Sequence, residues 1–289
     1  MNRSLKRGVS CAAALFALLA GAALAQESLP LPEYSGWWLP ENFSSDGVVI
    51  DQLFNLILVV VVVVFVAVQI TLIVFLVKYR ARPGGKATYI HGNNRLEILW
   101  TAVPAVLLAA LSFFSQQGWV QIKPAEGFRN GEPGRQADHV IEVVAEQFAW
   151  NVRYPGADGV FGPRRPDLVS VANPIGIDRE HPNGADDIFL TGQMHVPMGE
   201  TIQVNLTSKD VLHSFFLPHS RVKQDAVPGM VIQMYFDVTR AGSYEIACAE
   251  LCGNNHYNMK GTLTAHPTVE AYQAAVDRFA PVPIAEDTQ

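Results

Sequence analysis

The run Gln52–Val77, QLFNLILVVVVVVFVAVQITLIVFLV, contains no charged residue and decides how the chain is organised. As an α-helix it would extend about 39 Å at ~1.5 Å per residue, enough to cross the hydrocarbon core of a bilayer. A second uncharged run, Ile98–Ile122, is most apolar up to Phe114. Its Pro104 lies near the start, and membrane helices that pack against protein tolerate proline. The sequence therefore predicts two transmembrane helices, over about residues 52–77 and 98–117, in a helical hairpin that occupies residues 47–122.

The connection between the two runs is basic. It has no acidic residue before Glu97 and carries the cations Lys78, Arg80, Arg82, Lys86 and Arg95. Because basic loops remain on the cytoplasmic side, we expect this loop to face the cytoplasm. Two spans then place both termini on the outer side of a bacterial inner membrane, in the periplasm.

The composition agrees with a membrane protein and argues against a nucleic-acid partner. Hydrophobic residues make up 49% of the chain, and the formal net charge is only -6. No basic stripe with interleaved aromatic residues is present, so we predict no binding of nucleic acid.

The amino terminus has the features of a secretory signal peptide. Three cations (Arg3, Lys6 and Arg7) precede an apolar run that ends in the small-x-small pattern Ala23-Leu24-Ala25. We therefore predict that residues 1–25 are removed on export and that residues 26–46 form an exported segment. The alternative is a third membrane anchor, for which the run is short. Removal would leave the mature chain with two of its three cysteines.

Beyond residue 122 the sequence changes to short apolar segments separated by Gly, Pro, Asn and Asp. Residues 140–145, 202–206, 231–236 and 242–247 are predicted to be strands. Residues 155–187, rich in Pro, Gly, Asp and Arg, read as a long surface excursion between strands. A short helix is expected over residues 268–279, within a tail of residues 268–289. The pattern predicts an all-β sandwich or Greek-key barrel over residues 123–267.

A cluster of soft ligands lies within this domain. The stretch CAELCGNNHYNM contains Cys248, Cys252, His256 and Met259, and His213 stands earlier in DVLHSFF. Thiolate, thioether and imidazole together favour copper, and the second thiol exceeds what a single blue-copper ion requires. Two copper ions bridged by two sulfurs would use all five side chains. A tetrahedral zinc site of two Cys and two His remains an alternative, as does a disulfide, since the predicted compartment permits one.

Glu97 stands at the cytoplasmic end of the second predicted helix. An acid there can be an ordinary solvated interfacial group. Ionisable residues at this depth also occur in ion or proton routes, and the residue type alone does not separate the two readings.

Taken together, these motifs resemble subunit II of the haem–copper cytochrome c oxidases. The resemblance extends from about residue 44 to residue 266 and rests on four motifs in order: RLEILWTAVP in the second helix, then DVLHSF, KQDAVPG and CAELCGNNHYNM. It implies a two-helix transmembrane hairpin followed by an all-β cupredoxin domain, a Greek-key β-barrel or sandwich.

The resemblance also implies roles for individual residues. Those expected to hold a dinuclear copper centre (CuA) are Cys248 and Cys252 as bridges, His213 and His256 as caps, Met259 as a weak ligand and Glu250 through its carbonyl. The Glu250 side chain would reach a magnesium shared with subunit I, and Asp225 matches a position near that metal. Glu97 matches the mouth of a proton channel into subunit I. Asp210 matches an acid that docks cytochrome c.

The implied activity is that of an oxidoreductase subunit, with oxygen reduced and protons translocated elsewhere in the complex. Electrons from cytochrome c or a similar donor would pass through CuA to haem in subunit I, with subunit III as a further partner. This chain would hold no haem, because no Cys-x-x-Cys-His follows the cupredoxin domain.

Three positions depart from the family pattern. Phe148 stands where an exposed Trp is usual, whereas the second aromatic residue is retained as Trp150. These two residues are therefore the candidates for receiving electrons. Met230 replaces a common Arg, and Thr191 falls where some members carry a docking acid. The identity of the donor is thus open.

Other classes of protein share parts of this pattern. A quinol oxidase subunit II has the fold without copper, and the complete ligand set disfavours it. A membrane-tethered copper chaperone or sensor would have no use for Glu97 and Asp225. Nitrous oxide reductase carries the same copper centre beside a large propeller, for which this chain has no room.

Overall fold

A computed structural model of the chain describes residues 36, 38–122 and 137–281. The predicted signal peptide lies outside the described residues, as does most of the segment that joins the helical hairpin to the β domain.

Two long helices form the predicted hairpin. Helix α1 is Gly47–Lys78 and helix α2 is Asn94–Ile122, with Pro104 inside it. Both are long and apolar enough to cross a membrane. They begin and end beyond the predicted spans of 52–77 and 98–117, because a helix need not stop where its apolar stretch does. Helix α1 starts five residues earlier and thereby includes Asp51, whose carboxylate is bound by an arginine of the β domain.

The domain after the hairpin is built from two five-stranded sheets. Its strands in chain order are β1 His139–Glu146, β2 Ala149–Tyr154, β3 Ile188–Thr191, β4 Gln193–Pro197, β5 Ile202–Ser208, β6 His213–Leu217, β7 Val222–Ala226, β8 Ile232–Phe236, β9 Gly242–Cys248 and β10 Lys260–His266. The first sheet has the order β3-β2-β1-β5-β8 and the second the order β4-β10-β9-β6-β7. The four predicted strands are confirmed as β1, β5, β8 and β9, with ends that differ by no more than two residues.

The core lies between the two sheets and takes side chains from both. Alternate residues along β5, including Ile202, Val204 and Leu206, are fully buried, and so are Met194 and Ile246 of the second sheet. This period of two is what a strand with one inward face produces. The two-helix hairpin followed by this two-layered β domain is the predicted fold class.

Gly192 carries the chain from one sheet to the other. It separates β3 of the first sheet from β4 of the second and has a φ of +70°, a conformation that glycine adopts without steric cost. Its N–H donates to the carbonyl of Trp150, and its carbonyl accepts from the N–H of Thr262. One residue thus hydrogen bonds to both sheets at the point where they meet.

The excursion between β2 and β3 occupies residues 155–187, as predicted. It contains a 3₁₀ turn at Pro166–Leu168 and a single helical turn, α3, at Pro182–Ala185. Its end is fixed by Arg153, which is buried and hydrogen bonds to Asp187 at 3.1 Å. After the sheets, helix α4 covers Val269–Val276 and continues into a 3₁₀ turn, within the predicted range of 268–279.

The segment before helix α1 belongs to the β domain. Phe43 is buried in the domain core, and the Ser44 hydroxyl donates to Asp237 at 2.6 Å. The N–H of Phe43 donates to the carbonyl of His219, and its own carbonyl accepts from Thr239. Residues 38–46, called here the N-terminal strap, therefore lie on the same side of the hairpin as the β domain.

Candidate metal centre

Two loops of the second sheet bring the predicted ligands together. His213 is the first residue of β6, and Cys248 is the last residue of β9. These strands are neighbours, with Phe215 opposite Cys248. The chain then turns through Cys252 before β10 begins. A ring nitrogen of His213 and the sulfurs of Cys248 and Cys252 all lie within 4.8 Å of one another.

The remaining two candidates approach this group from the same loop. His256 lies in a 3₁₀ turn, and its Nδ1 is 3.6 Å from the sulfur of Cys252. Met259 is fully buried, with its thioether sulfur 3.8 Å from the same thiol. The carbonyl oxygen of Glu250 is 3.3 Å from the sulfur of Cys248. All the ligands inferred from the sequence therefore lie at one end of the β domain.

The two thiols are close but not bonded. Their sulfurs are 3.8 Å apart, far beyond a disulfide bond length of about 2.05 Å. Cys252 is buried and Cys248 is half-buried. Burial, and after it the neighbouring Cys248 thiol, raises the pKa of Cys252 to about 11. A cation bound here must therefore displace thiol protons, as metals do at cysteine sites.

His213 presents one ring nitrogen that the protein leaves without a partner. The side chain is fully buried, and its Nε2 is 2.8 Å from Oδ1 of Asp210. Because an ionised carboxylate only accepts hydrogen bonds, the ring proton belongs on Nε2 and Nδ1 keeps its lone pair. Nδ1 is buried and has no hydrogen-bond partner. A buried acceptor without a partner is costly, and a bound cation would satisfy it.

Asp210 is held as a carboxylate by several donors. Burial by itself opposes its ionisation, but hydrogen bonds from His213 and from two backbone N–H groups outweigh burial and lower its pKa. Those N–H groups belong to Gln147, at 2.7 Å, and Val211, at 2.6 Å. A carboxylate that orients a ligand histidine in this manner is common around protein metal sites.

The donor set fits a soft cation better than a hard one. Two thiols, a thioether and imidazole nitrogens converge, whereas hard cations prefer oxygen ligands. The buried thioether of Met259 points at a thiol, a contact that neither a zinc site of two Cys and two His nor a disulfide would require.

The two aromatic candidates for receiving electrons have different environments. Trp150 is fully buried, and its ring meets those of His213 and Phe215 edge-on at 6.2 and 5.2 Å. Phe148 is half-buried and lies against Gly253, where an added Cβ would come within 2.9 Å of its ring. A docked protein could touch Phe148 but not Trp150.

Three further side chains given roles by the family resemblance, those of Asp225, Glu250 and Glu97, lie outside the group of ligand atoms. Asp225 pairs with Ser214 across β6 and β7 and accepts from its hydroxyl at 2.7 Å. The Glu250 side chain is exposed beside the cluster. Glu97 is exposed in the first turn of α2, at the end of the hairpin that lies away from the β domain. The structure therefore brings together the candidate ligands and leaves Glu97 at the opposite end of the hairpin.

Sequence reasoning did not find the part played by Gln147. Its side chain donates to the carbonyl of Cys252 at 2.6 Å, although the two residues are 105 positions apart. No local pattern reports such a contact, because it depends on the packing of a turn of one sheet against a loop of the other.

Family models for cytochrome c oxidase subunit II match the chain in two parts. The model of the transmembrane domain matches residues 32–117, and that of the periplasmic domain matches residues 177–265.

Individual relatives give the same result over most of the chain. The alternative cytochrome c oxidase subunit 2 of Bradyrhizobium diazoefficiens is 32% identical over 78% of this chain and 77% of its own length. The cytochrome c oxidase subunit 2 of Thermostichus vulcanus is 30% identical over 88% of this chain and 82% of its own length. The cytochrome c oxidase subunit 2 of Cereibacter sphaeroides is 30% identical over 93% of this chain and 90% of its own length. Among solved structures, the periplasmic domain of cytochrome oxidase subunit II from Bradyrhizobium japonicum is 27% identical, with a TM-score of 0.37, and covers 50% of this chain and 95% of its own.

Proposed function

Because the chain belongs to the cytochrome c oxidase subunit II family, we propose that it is the subunit of a haem–copper oxidase that receives electrons. In this proposal it takes electrons from cytochrome c or a similar c-type donor. It delivers them to haem in subunit I, where oxygen is reduced and protons are translocated.

The observation that carries the proposal is His213, which has a buried and unpartnered Nδ1 and a ring nitrogen within 4.8 Å of two free thiols. We assign six residues as the ligands of a dinuclear copper centre: His213, Cys248, Glu250 (through its carbonyl), Cys252, His256 and Met259. His256 is not a member of the compact group, and its Nδ1 lies 3.6 Å from the sulfur of Cys252, a position from which it could hold a second ion. When bound, such a centre would supply one-electron transfer, and the thiolates of Cys248 and Cys252 would help to spread the transferred charge.

The protein's own contribution is to hold these ligands and exclude water. His213 is fixed in orientation by Asp210 and packs against the buried ring of Trp150. Phe215 and Met259 are fully buried on the core side of the site. A rigid and dry setting suits a relay, because ligands that cannot move have little reorganisation to undergo.

The outer face of the site suits contact with an electron donor. Phe148 is half-buried above the Cys252 loop, and the exposed Leu251 and Tyr257 lie on that loop. In our proposal Phe148 is the surface residue that receives electrons, and Trp150 lies beneath it as part of the core. Asp210 carries a negative charge at this face, and a basic cytochrome would be attracted to it.

Contacts with the rest of the oxidase account for the remaining residues. The exposed Glu250 side chain could reach a magnesium shared with subunit I. Asp225 lies on β7, which pairs with the His213 strand β6. Glu97 would admit protons from the cytoplasmic side to a channel in subunit I. Both termini of the mature chain would be periplasmic, and subunit III would complete the complex.

The test is copper loading of the full-length chain in detergent. We expect about two copper ions per chain, with the optical and paramagnetic spectra of a mixed-valence pair in which one electron is shared. Cys252→Ser should abolish these spectra. Met259→Leu should perturb them, whereas Met194→Leu, which alters an equally buried methionine of the core, should not.

Other outcomes would point to other functions. A chain that binds no copper would agree with a quinol oxidase subunit, and binding of zinc alone would overturn the assignment of ligands. A copper chaperone would release its copper readily to a chelator and would purify without a large haem-bearing subunit. Retention of the mixed-valence spectra by Cys252→Ser would count decisively against the proposal.

A further inference from the structure

Gln147 occupies the turn between β1 and β2 and forms hydrogen bonds to both ligand loops. Its backbone N–H donates to Oδ2 of Asp210 at 2.7 Å, and the other oxygen of that carboxylate binds His213. Its side-chain Nε2 donates to the carbonyl of Cys252 at 2.6 Å. Gln147 therefore hydrogen bonds directly to Asp210, in the loop before His213, and to the backbone of the candidate ligand Cys252.

The position of Gln147 in the fold lets its two hydrogen bonds link the two sheets. Its turn belongs to the first sheet, whereas His213 and Cys248 lie on strands of the second. Strand pairing within the second sheet fixes the ends of β6 and β9 but leaves the loop around Cys252 without a strand partner. The bond from Gln147 ties that loop to the opposite sheet.

Gly253 makes the contact sterically feasible. A Cβ at this position would lie 2.8 Å from Nε2 of Gln147 and 2.9 Å from the ring of Phe148, and its φ is +147°. Only a residue without a side chain lets the β1–β2 turn approach the loop so closely. The glycine, the glutamine amide and the aromatic ring form one packed contact directly after Cys252.

We propose that Gln147 is a positioning residue for the copper centre, one that sets where the Cys252 loop stands relative to His213. The inference rests on the proposed function, since it assumes that these residues hold copper. Sites of this kind need their ligands held to within about 0.5 Å, and groups behind the ligands commonly provide that restraint. Because Gln147 hydrogen bonds to the Cys252 carbonyl and to Asp210, its effect passes through the Cys252 backbone and through Asp210.

The test compares three full-length chains loaded with copper: the wild type, Gln147→Met and Gln147→Glu. Both substitutions preserve the length of the side chain and the backbone N–H but remove the amide donor. We expect copper to be lost to a competing chelator about 10–100-fold more readily, the loss typical when groups behind a ligand are removed. We also expect an altered hyperfine pattern in the paramagnetic spectrum. Gly253→Ala should alter the spectrum in the same way, because it pushes the amide off the loop.

Gln203→Met is the matched control. Gln203 also donates through its side-chain amide, to Asn205 at 3.0 Å, but it lies near the opposite end of β5 from the site. If Gln147 merely strengthened the fold, the Gln147 and Gln203 variants would lower the melting temperature alike and leave the copper spectrum unchanged, and the inference would be overturned. A wild-type chain without the copper spectrum would instead contradict the proposed function.

Discussion

The guanidinium of Arg221 forms a bidentate ion pair with the carboxylate of Asp51, with its Nε 2.7 Å from one oxygen and an Nη 3.2 Å from the other. Arg221 follows β6 in the β domain, and Asp51 lies one turn inside helix α1. The arginine also donates to the carbonyls of Pro40 and Pro218, and its side chain is only 9% exposed. A membrane helix, the N-terminal strap and the β domain are thus joined through one side chain.

Replacing this arginine should loosen the domain from the hairpin. Arg221→Gln leaves the Asp51 carboxylate and the Pro40 carbonyl without their guanidinium donor, so we expect the free energy of unfolding to fall by about 1–3 kcal/mol. Thermal unfolding of the detergent-solubilised chain measures the change. Arg240→Gln is the control, because Arg240 and Glu41 are largely exposed and 3.6 Å apart, and such pairs contribute about 0–1 kcal/mol. Equal losses in the two variants would contradict the special role of Arg221.

Removing the charge of Asp210 should weaken the hold on copper. Asp210→Asn can no longer present a carboxylate to Nε2 of His213, so we expect copper affinity to fall by about 10–100-fold. A chelator competition assay gives the affinity. If Asp210 acted only in docking, the variant would bind copper normally and lose only the salt-dependent part of its reaction with cytochrome c.

Neutralising Glu97 should slow the assembled oxidase without changing the copper centre. If Glu97 admits protons, Glu97→Gln should reduce steady-state oxygen consumption by about tenfold or more, since positioned proton-transfer groups contribute at least that much. Arg95→Gln, a change at a neighbouring charged residue in the same helical turn, is the control. Normal turnover in the Glu97 variant would mean that the acid is only an interfacial group.

His195 and His266 form a half-buried pair that should make stability depend on pH. His195 Nδ1 and His266 Nε2 are 3.0 Å apart, and His195 stacks on Phe279. Burial, then repulsion from His266 and Arg278, lowers the pKa of His195 from 6.5 to about 4. Burial also lowers the pKa of His266, with Arg278 adding to the effect.

The sign of the effect follows from these shifts. Between pH 6.5 and about 4 the unfolded chain binds a proton at residue 195 and the folded chain does not, so acid favours unfolding. We expect the melting temperature to fall across this range, and to fall less steeply for His195→Phe, which retains a ring against Phe279. His91→Phe, at an exposed histidine of the interhelical loop, should behave as the wild type. A wild-type profile for His195→Phe would exclude the pair as the cause.

The parts of the fold that were predicted correctly are those with a strong local signal. Helix α1 was evident because no charge interrupts residues 52–77, and β5 because its inward face alternates. The ligand set was predicted because soft donors recur in CAELCGNNHYNM and at His213, and the group of His213, Cys248 and Cys252 shows that three of them lie together.

The parts that were missed depend on contacts distant in the sequence. Six of the ten strands in the described part of the chain were not predicted, namely β2, β3, β4, β6, β7 and β10. Of these, β3 and β4 are short, and Gly192 between them resembles an ordinary turn. The strap around Phe43 gave no signal, because its hydrogen bonds go to residues about 180 to 200 positions away. Trp150 was a candidate for receiving electrons, but a residue type does not reveal that its side chain is fully enclosed.

The N-terminal strap has a consequence for biogenesis. The β domain takes Phe43 from the chain before the hairpin and every strand from the chain after it, so the domain is assembled from two segments that cross the membrane in separate translocation events. Neither segment can complete the core until the other has arrived on the same side. A chain in which only one helix of the hairpin had inserted would hold the strap and the strands on opposite sides of the membrane, and Asp237, Arg221 and His219 would lack the strap residues that bind them.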